Sequence, residues 1–341
     1  MNTSLLDHLN LFDLQCFDIK TLRLECKSLI NNPLQDSTLR SIPVLVPKSV
    51  KPPYRVVLVL AGFTGNSPFY FNGKYSEDNF VQKLDLQCQN RLAPEALYVF
   101  VDAMTSWGGS QYLNSAATGN YEDMITQDLR IALHQHFTVS SSPEDWCIMG
   151  GSSGGYGALH LVSKFPQYFG VAAAIAPDCF FSASLVNELY LALPTWEKYQ
   201  ESGLTVLNAL RNGQLKKQKN FHSILNAFAM SACYSPKGNN GDFNFPVSPA
   251  SGNFIPDVWQ HWLEKDPIQF LVQRDFYNSS CKLYLDVGNK DQFHLQYGAR
   301  QIHLLAEKNQ FQHHYSEFDG NHFDIGERRP ELWSWLQTQW A

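Results

Sequence analysis

The chain has 341 residues, enough for one large domain or two, and its 44% hydrophobic content is sufficient for a substantial core. A net charge of −6 without a long basic run gives no reason to expect a nucleic acid partner. No window approaches the roughly 18–20 apolar residues of a membrane span, and the first ten residues lack the pattern of a secretory signal.

The seven cysteines are scattered along the chain, and none forms a C-x-x-C pair with another. Such spacing is typical neither of a zinc site nor of a disulfide framework. We therefore expect reduced thiols and a cytoplasmic location.

The first part of the chain predicts two strands that precede the main pattern. Residues 1–20 have the apolar spacing of an amphipathic extension that includes a short helix. Residues 22–29 alternate between apolar and polar types, as in a half-buried strand, and residues 42–46 form a second strand closed by Pro47. Two strands so close in sequence predict an antiparallel hairpin at a sheet edge.

Apolar runs alternate with segments of helical spacing over the rest of the chain. The run at residues 55–60 is continuous in β-branched residues and leucine, which is typical of a parallel strand buried on both faces. Further strands are predicted at residues 96–101, 146–149, 171–176, 282–286 and 313–318. Helices are predicted at residues 120–136, 153–165, 295–308 and 330–340. This order predicts an α/β fold with a mostly parallel central sheet flanked by helices.

The alternation breaks between residues 179 and 275, a stretch that is rich in aromatic residues. We expect a mostly helical insertion that folds over the sheet edge as a cap. Its aromatic side chains either line a substrate pocket or form a small core beneath the insertion, and both interpretations stay open.

A glycine-rich corner joins the strand at residues 146–149 to the following helix. Gly150-Gly151-Ser152-Ser153-Gly154 fits the G-x-S-x-G nucleophile elbow, in which a serine lies on a strained turn between strand and helix. The motif fits in two registers, with Ser152 or Ser153 as the nucleophile, and the end of the strand at Met149 favours Ser152. A flexible turn without chemistry is the alternative interpretation.

Two loops are candidates for binding the oxyanion and the substrate. In α/β folds with a serine elbow of this kind, one oxyanion amide comes from the loop after a central strand and the other from the residue after the nucleophile. The loop here is the one after the strand at residues 55–60, so the candidate donors are the backbone amides of Phe63 and Ser153. A plain glycine turn is the alternative. The segment at residues 105–112 follows the next parallel strand, where such sheets bind ligands. The candidate pocket residues are Gly62, Trp107, Tyr112, Tyr156 and Phe293.

A serine hydroxyl requires a general base, and the base requires an orienting acid. In this architecture the chain order is serine, acid, histidine. Asp291 lies in the loop after the strand at residues 282–286, and Asp286 at the tip of that strand is the fallback. His322 lies in the loop after the last strand. The predicted triad is therefore Ser152, Asp291 and His322.

Several of these motifs resemble the putative-esterase branch of the α/β-hydrolases, which includes esterase D-like, enterochelin esterase-like and feruloyl esterase-like enzymes. The matching stretches are residues 59–65, 108–115, 119–123, 152–159, 288–293 and 318–323. The elbow is similar to the family form G-x-S-x-G-G-x-G-A-L, which implies Ser152 as the nucleophile. Ala61 and Asn321 depart from the family pattern, because many relatives carry histidine and glycine at these positions.

The resemblance implies a single α/β-hydrolase domain over residues 1–341. It implies a serine hydrolase that cleaves small-molecule carboxylic esters through an acyl-enzyme and requires no metal or organic cofactor. Acyl transfer to an alcohol, sugar or thiol by the same triad stays open, as does a hydrolase-fold binding protein without catalysis. A homodimer also stays open, and the aromatic residues of the insertion suggest apolar or aromatic ester groups.

Overall fold

The computed structural model describes residues 13–73 and 76–341. Within these ranges the strands are β1 (Phe17–Glu25), β2 (Leu39–Pro47), β3 (Val56–Leu60), β4 (Leu97–Phe100), β5 (Asn114–Ser115), β6 (Gly119–Asn120), β7 (Trp146–Gly151), β8 (Val171–Ile175), β9 (Pro236–Lys237), β10 (Asp242–Phe243), β11 (Lys282–Gly288) and β12 (His313–Phe318).

The helices of the same ranges are α1 (Phe80–Gln89), α2 (Tyr121–Asp123), α3 (Arg130–Phe137), α4 (Ser153–Lys164), α5 (Phe181–Ser184), α6 (Val186–Lys198), α7 (Gly203–Arg211), α8 (Phe221–Tyr234), α9 (Pro256–Leu263), α10 (Pro267–Gln273), α11 (Leu295–Lys308) and α12 (Arg329–Gln339). A π-helical segment, Met124–Leu129, connects α2 to α3, so the helix predicted at residues 120–136 is interrupted by a wider turn. No helix among the described residues is long and apolar enough to cross a membrane.

One large sheet organises the described part of the chain, with its eight strands in the order β1-β2-β4-β3-β7-β8-β11-β12. Six neighbouring strands are parallel to one another, namely β4, β3, β7, β8, β11 and β12. Strands β1 and β2 pair antiparallel, and β2 pairs antiparallel with β4. The mostly parallel sheet flanked by helices confirms the fold class predicted from the sequence.

Strand β3 shows why the sequences of the central strands are continuous apolar runs. All five of its residues are buried. Because side chains alternate between the two faces of a sheet, Val56, Leu58 and Leu60 pack in one hydrophobic cluster, and Val57 and Val59 pack in the cluster on the opposite face. Helices therefore cover both faces of the sheet.

The predicted hairpin is present at the sheet edge, but its first strand begins and ends earlier than predicted. Phe17 pairs with Pro47, and β1 ends at Glu25. Residues 27–29 form a 3-10 helix instead, in which the Ser28 amide donates a hydrogen bond of 2.9 Å to the Asp128 carboxylate. The part of the predicted extension before residue 13 lies outside the described residues.

The segment between β8 and β11 is mostly helical and contains α5 to α10. Four of its aromatic side chains pack against one another, with ring centroids 5.2–6.1 Å apart: Trp196, Phe228, Phe243 and Phe245. All four are buried. These side chains form a local core beneath the insertion, which is one of the two interpretations left open by the sequence.

Candidate active site

A strained corner lies between β7, which ends at Gly151, and α4, which begins at Ser153. Ser152 occupies the corner with φ 56° and ψ −125°, a backbone conformation that L-residues rarely adopt and that costs roughly 1–3 kcal/mol. Its amide donates to the carbonyl of Ile175 at 3.0 Å, and its carbonyl accepts from the amide of Tyr156 at 2.9 Å. The strained conformation of a nucleophile elbow therefore belongs to Ser152, while Ser153 lies in the first turn of α4.

The glycines around the corner allow strand and helix to approach more closely than side chains would permit. A Cβ atom on Gly154 would lie 2.4 Å from the carbonyl oxygen of Leu60 in β3, and a Cβ atom on Gly150 would lie 2.5 Å from the carbonyl carbon of Gly154. Real contacts of this kind are essentially never under 3.0 Å. The glycine content of the motif is thus required by packing.

His322 and Asp291 meet at the same edge of the sheet. Nδ1 of His322 lies 2.7 Å from Oδ2 of Asp291, and both residues are buried. The other oxygen of Asp291 accepts a hydrogen bond of 2.8 Å from the amide of Phe293. An ionised carboxylate can only accept, so Nδ1 carries the proton and Nε2 keeps its lone pair. Among the described residues Nε2 has no hydrogen-bond partner.

The backbone around His322 is held by a capping box. The Asn321 side chain accepts a hydrogen bond of 2.9 Å from the Phe323 amide, and the Asp324 side chain accepts one of 2.8 Å from the Asn321 amide. These bonds begin the 3-10 helix His322–Arg328. Asn321, one of the two departures from the family pattern, therefore fixes the start of this helix.

The fallback acid is engaged elsewhere. The Asp286 carboxylate accepts hydrogen bonds of 2.8 Å from Nε of Arg328 and 3.0 Å from the hydroxyl of Tyr284. Burial raises the pKa of Asp286, and the Arg328 guanidinium opposes that rise. Of the two candidate acids, the structure brings Asp291 to the histidine.

The Ser152 hydroxyl donates its hydrogen bond to an acid that sequence reasoning missed. Its Oγ lies 3.1 Å from Oδ1 of Asp178, and the described part of the chain shows no hydrogen bond between Ser152 and His322. Oδ2 of Asp178 also accepts from the hydroxyl of Ser153 at 2.7 Å. Asp178 follows β8 at the carboxyl edge of the parallel sheet. This position after a buried strand is the feature of the sequence that could have identified it as a candidate site residue.

A buried glutamine extends this polar cluster towards the insertion. Nε2 of Gln111 lies 3.0 Å from Oδ2 of Asp178 and 3.0 Å from the hydroxyl of Tyr234 in α8. Gln111 has no exposed surface and a φ of 51°. The network thus connects the loop before β5, the elbow and the insertion. Gln111 lies in the segment 105–112 that the sequence indicated as a ligand-binding loop, but it was not among the candidate pocket residues.

The two candidate oxyanion donors border the same space. Phe63 lies in a turn closed by the hydrogen bond of 2.9 Å from the Gly65 amide to the Gly62 carbonyl, and its own amide donates to no described residue. The Ser153 amide belongs to the first turn of α4, where amides have no acceptor within the helix. A Cβ atom on Gly62 would lie 3.5 Å from Cβ of Ser152. Both amides are therefore near the nucleophile.

A cavity of about 720 Å³ contains these groups and is lined by Ser152, Ser153, His322, Phe63 and Asp178, among others. Its aromatic wall consists of Phe63, Phe69, Tyr70, Phe80, Phe293 and Phe323. The insertion contributes mainly polar side chains, namely Ser184, Glu188, His222 and Asn226. The aromatic lining therefore comes from outside the insertion, and the first of the two interpretations left open by the sequence, a pocket lined by the aromatic residues of the insertion, is not what this cavity shows.

The predicted pocket residues divide into two groups. Gly62 and Phe293 line the cavity. Trp107, Tyr112 and Tyr156 are outside its lining because they are buried in packing. Trp107 lies edge-on to Phe243, the Tyr112 hydroxyl donates to the carbonyl of Ala61 at 2.6 Å, and Tyr156 stacks on Phe181. These three residues support the walls of the site.

Glu188 is a buried acid that the insertion contributes to the cavity, with 4% of its surface exposed. One of its oxygens accepts a hydrogen bond from the side-chain amide of Asn226. Its other oxygen and the carbonyl oxygen of the Asn226 side chain have no hydrogen-bond partner among the described residues. Burial raises the pKa of Glu188 to about 7.

A family described as putative esterase matches residues 42–324, which is most of the chain. This match, together with the similar structures below, confirms the resemblance inferred from the motifs. A comparison with curated proteins gave no match.

Solved structures with a similar fold include two esterases and one hydrolase. A ferulic acid esterase has a TM-score of 0.59 and 15% identity, over 95% of this chain and 99% of that chain. The S-formylglutathione hydrolase of Staphylococcus aureus has a TM-score of 0.55 and 14% identity, over 94% and 98%. The enterobactin esterase of Shigella flexneri has a TM-score of 0.54 and 13% identity, over 95% and 58%. At these identities the likeness shows the fold.

Proposed function

We propose, from the premise that this chain belongs to the putative esterase family and is a carboxylic ester hydrolase, that Ser152, His322 and Asp291 are its catalytic triad. The observation that carries the proposal is the hydrogen bond of 2.7 Å between His322 Nδ1 and Asp291, in the cavity that also contains Ser152. The reaction passes through an acyl-enzyme.

In the acylation step, Nε2 of His322 removes the proton of the Ser152 hydroxyl while Oγ attacks the ester carbonyl carbon. Asp291 holds the imidazole in the tautomer that leaves Nε2 free and stabilises the imidazolium that forms. The tetrahedral oxyanion is held by the backbone amides of Phe63 and Ser153. His322 then gives the proton to the leaving alcohol, and the acyl group stays on Ser152.

Deacylation repeats these steps with water as the nucleophile. His322 removes a proton from water, the oxygen attacks the acyl carbon, and the Ser152 oxygen leaves with the proton from His322. The free acid is released. Because hydrolysis and transfer share every group on the protein, the acceptor alone distinguishes an esterase from an acyltransferase.

The hydroxyl of Ser152 must leave Asp178 before it can react. Rotation about χ1 of Ser152 breaks the hydrogen bond of 3.1 Å to Asp178 and turns Oγ towards His322. Asp178 therefore acts as a positioning residue for the resting nucleophile, and it holds the hydroxyl of Ser153 in the same way.

The aromatic wall favours esters with apolar or aromatic groups. Phe69 is 64% exposed and lines the cavity, so it can be removed with little effect on the core. The variant Phe69→Ala is expected to lower kcat/KM for an aromatic ester by roughly tenfold and to leave that for an acetyl ester unchanged. An equal effect on both esters would contradict this substrate preference.

Residues 179–275 are proposed as the cap of this site, supported by the four polar side chains that they contribute to the cavity. The cytoplasmic location and the homodimer stay predictions. Cell fractionation tests the first, and light scattering on the purified protein tests the second.

A fluorophosphonate probe, which modifies an activated serine, tests the triad. Mass spectrometry of the labelled peptide is expected to find the adduct on Ser152, and labelling is expected to be lost in Ser152→Ala and in His322→Ala. The matched control is Ser153→Ala, which removes one hydrogen bond to Asp178 and should keep the labelling. An adduct on Ser153, or no labelling at all, would overturn the assignment.

The acyltransferase alternative is tested with one ester substrate and a series of acceptors. For a hydrolase, an added alcohol, sugar or thiol leaves the rate of acid formation unchanged. If an acceptor diverts most of the acyl group into a new ester or thioester at millimolar concentration, the protein is a transferase.

A further inference from the structure

A cluster of two histidines and one glutamate lies away from the catalytic edge of the sheet. His303 and Glu307 are four residues apart on α11, so they share one face of the helix, and His313 is the first residue of β12. One ligand atom of each residue lies within 4.8 Å of those of the others. Nδ1 of His303 and Nε2 of His313 are 2.8 Å apart.

The hydrogen bonds of His313 direct a lone pair towards His303. Nδ1 of His313 lies 2.9 Å from the carbonyl oxygen of Phe311, and a carbonyl can only accept, so Nδ1 carries the proton. Nε2 of the neutral ring is then an acceptor that faces His303. A ligand histidine usually donates its other N–H to a backbone carbonyl in this way, which fixes the tautomer and the ring orientation.

The surroundings hold His303 in place and leave Glu307 free. The ring of Tyr315 stacks on His303 at 4.2 Å with an interplanar angle of 11°. The neighbouring Glu317 is engaged by Arg300 at 2.7 and 2.8 Å and is therefore not the ligand. Glu307 is exposed and forms no salt bridge with the described residues.

We propose that His303, Glu307 and His313 bind one zinc ion. Two imidazole nitrogens and one carboxylate oxygen suit Zn²⁺, which takes nitrogen and oxygen ligands in a four-coordinate arrangement, and they do not suit Mg²⁺ or Ca²⁺, which prefer oxygen ligands alone. Water completes the coordination. When the ion binds, His303 carries its proton on Nε2, and the lone pair of Nδ1 faces the metal.

The position of this site indicates a structural role. The parallel strands direct their carboxyl ends towards the cavity, and His322 follows the carboxyl end of β12. His313, at the other end of the six-residue strand, is about 16 Å from that carboxyl end along the sheet. The ion would link the last turn of α11 to β12, which is the outermost strand of the sheet.

The test is a calorimetric titration of the chelator-treated, full-length protein with zinc chloride. One Zn²⁺ per chain is expected, with a rise in Tm that depends on zinc concentration. Glu307→Gln changes an exposed residue and keeps both histidines, so the variant should fold normally. It should weaken zinc binding by at least about 10–100-fold, because that is the loss found when a group that only hydrogen-bonds to a metal ligand is removed. His303→Ala is expected to abolish binding. Hydrolysis of an ester should be unchanged in both variants.

The control is His136→Ala, which removes an exposed histidine of α3 and should leave both the stoichiometry and the affinity unchanged. Three results would overturn the site: no saturable binding by the wild-type protein, wild-type affinity in His303→Ala, or wild-type affinity in Glu307→Gln. Equal competition by Mg²⁺ would overturn the choice of metal.

Discussion

At the scale of single residues, the site separates two acids that the sequence alone could not distinguish by chemistry. Asp291 and Asp286 are both buried, but Asp291 contacts His322 and Asp286 contacts Arg328. In the proposed mechanism the first contact serves a proton transfer, whereas the second pairs the buried Asp286 carboxylate with the Arg328 guanidinium. Substitutions at the two positions should therefore affect different measurements.

The variant Asp291→Asn is expected to lower kcat by about 10⁴-fold, because an asparagine amide favours the wrong tautomer of His322. The triad geometry is otherwise kept, so Tm should change little. Steady-state kinetics with a p-nitrophenyl ester measures the first effect, and calorimetry measures the second. A loss of less than tenfold would mean that Asp291 is not the orienting acid.

The variant Asp286→Asn is the matched control and should act on stability. It leaves the partly buried Arg328 guanidinium beside a neutral side chain, with Glu331 as its remaining carboxylate partner, which costs on the order of 1–3 kcal/mol. We expect a lower midpoint in urea unfolding, while kcat at low temperature stays within about tenfold of the wild type. A large loss of kcat in a fully folded variant would make Asp286 a candidate for the orienting acid again.

A substitution at Asp178 is expected to lower both the stability and the activity. Asparagine at this position keeps the shape but offers one acceptor fewer for the hydroxyls of Ser152 and Ser153 and for Gln111. Asp178→Asn should lower the unfolding free energy by about 1–3 kcal/mol and lower kcat/KM by less than about 100-fold. A loss as large as that of Asp291→Asn would identify Asp178 as a second catalytic acid.

At the scale of secondary-structure elements, the contact between β3 and α4 depends on Gly154. A methyl group there would meet the Leu60 carbonyl at 2.4 Å, and the backbone of neither element can yield easily. Gly154→Ala is expected to lower stability by about 1–3 kcal/mol and to reduce kcat by displacing Ser152. The control is Gly109→Ala, where the nearest atom is in the Phe63 side chain at 3.5 Å; similar losses in both variants would contradict the packing argument.

Helix α6 contributes a pH dependence through Glu188. Burial raises its pKa to about 7, so between about pH 4.5 and pH 7 the folded protein keeps a proton that the unfolded chain has released. Stability therefore falls as pH rises through this range, by about 3 kcal/mol in total. Glu188→Gln should remove this loss and make the variant more stable than the wild type at pH 8.

Urea unfolding of both proteins at pH 5 and pH 8 measures this difference. The exposed Glu201→Gln is the control, and it should shift the stability equally at both pH values. A stability difference for Glu188→Gln that does not change with pH would show that the burial of Glu188 has no such effect.

The strands, the helices and the residues of the proposed triad can be predicted from local sequence patterns. The residues that the sequence analysis missed take part in contacts between segments that are distant in sequence. Alternating apolar runs identify the parallel strands, and the loops after them identify Asp291 and His322, because carboxyl ends of parallel strands share one edge. Asp178 and Gln111 are ordinary polar residues in sequence, and only the folded chain brings them together. The aromatic residues of the insertion carry no sign of which face they occupy, so a pocket and a local core could not be distinguished.

At the scale of the whole molecule, the seven cysteines are unpaired. Six are buried and Cys16 is partly exposed, and burial raises the pKa of the Cys147 thiol, which keeps it unreactive. We expect at most one thiol to react rapidly with a disulfide reagent in the native protein and seven to react in denaturant. Fewer than seven in denaturant would indicate a disulfide or an oxidised thiol.

Hydrogen bonds also join parts of the chain that are distant in sequence. Gln111 bonds to a residue 123 positions later, and the Arg55 guanidinium bonds to the carbonyl of Trp340, 285 positions later. Such distant pairings form slowly, because the loops they close are long. In the proposed triad, Ser152 and His322 come from opposite halves of the chain, so we expect a growing polypeptide to lack catalysis until β12 has emerged. The return of ester hydrolysis during refolding is therefore expected to report the pairing of β7, β8, β11 and β12, the neighbouring strands that bring Ser152, Asp291 and His322 together.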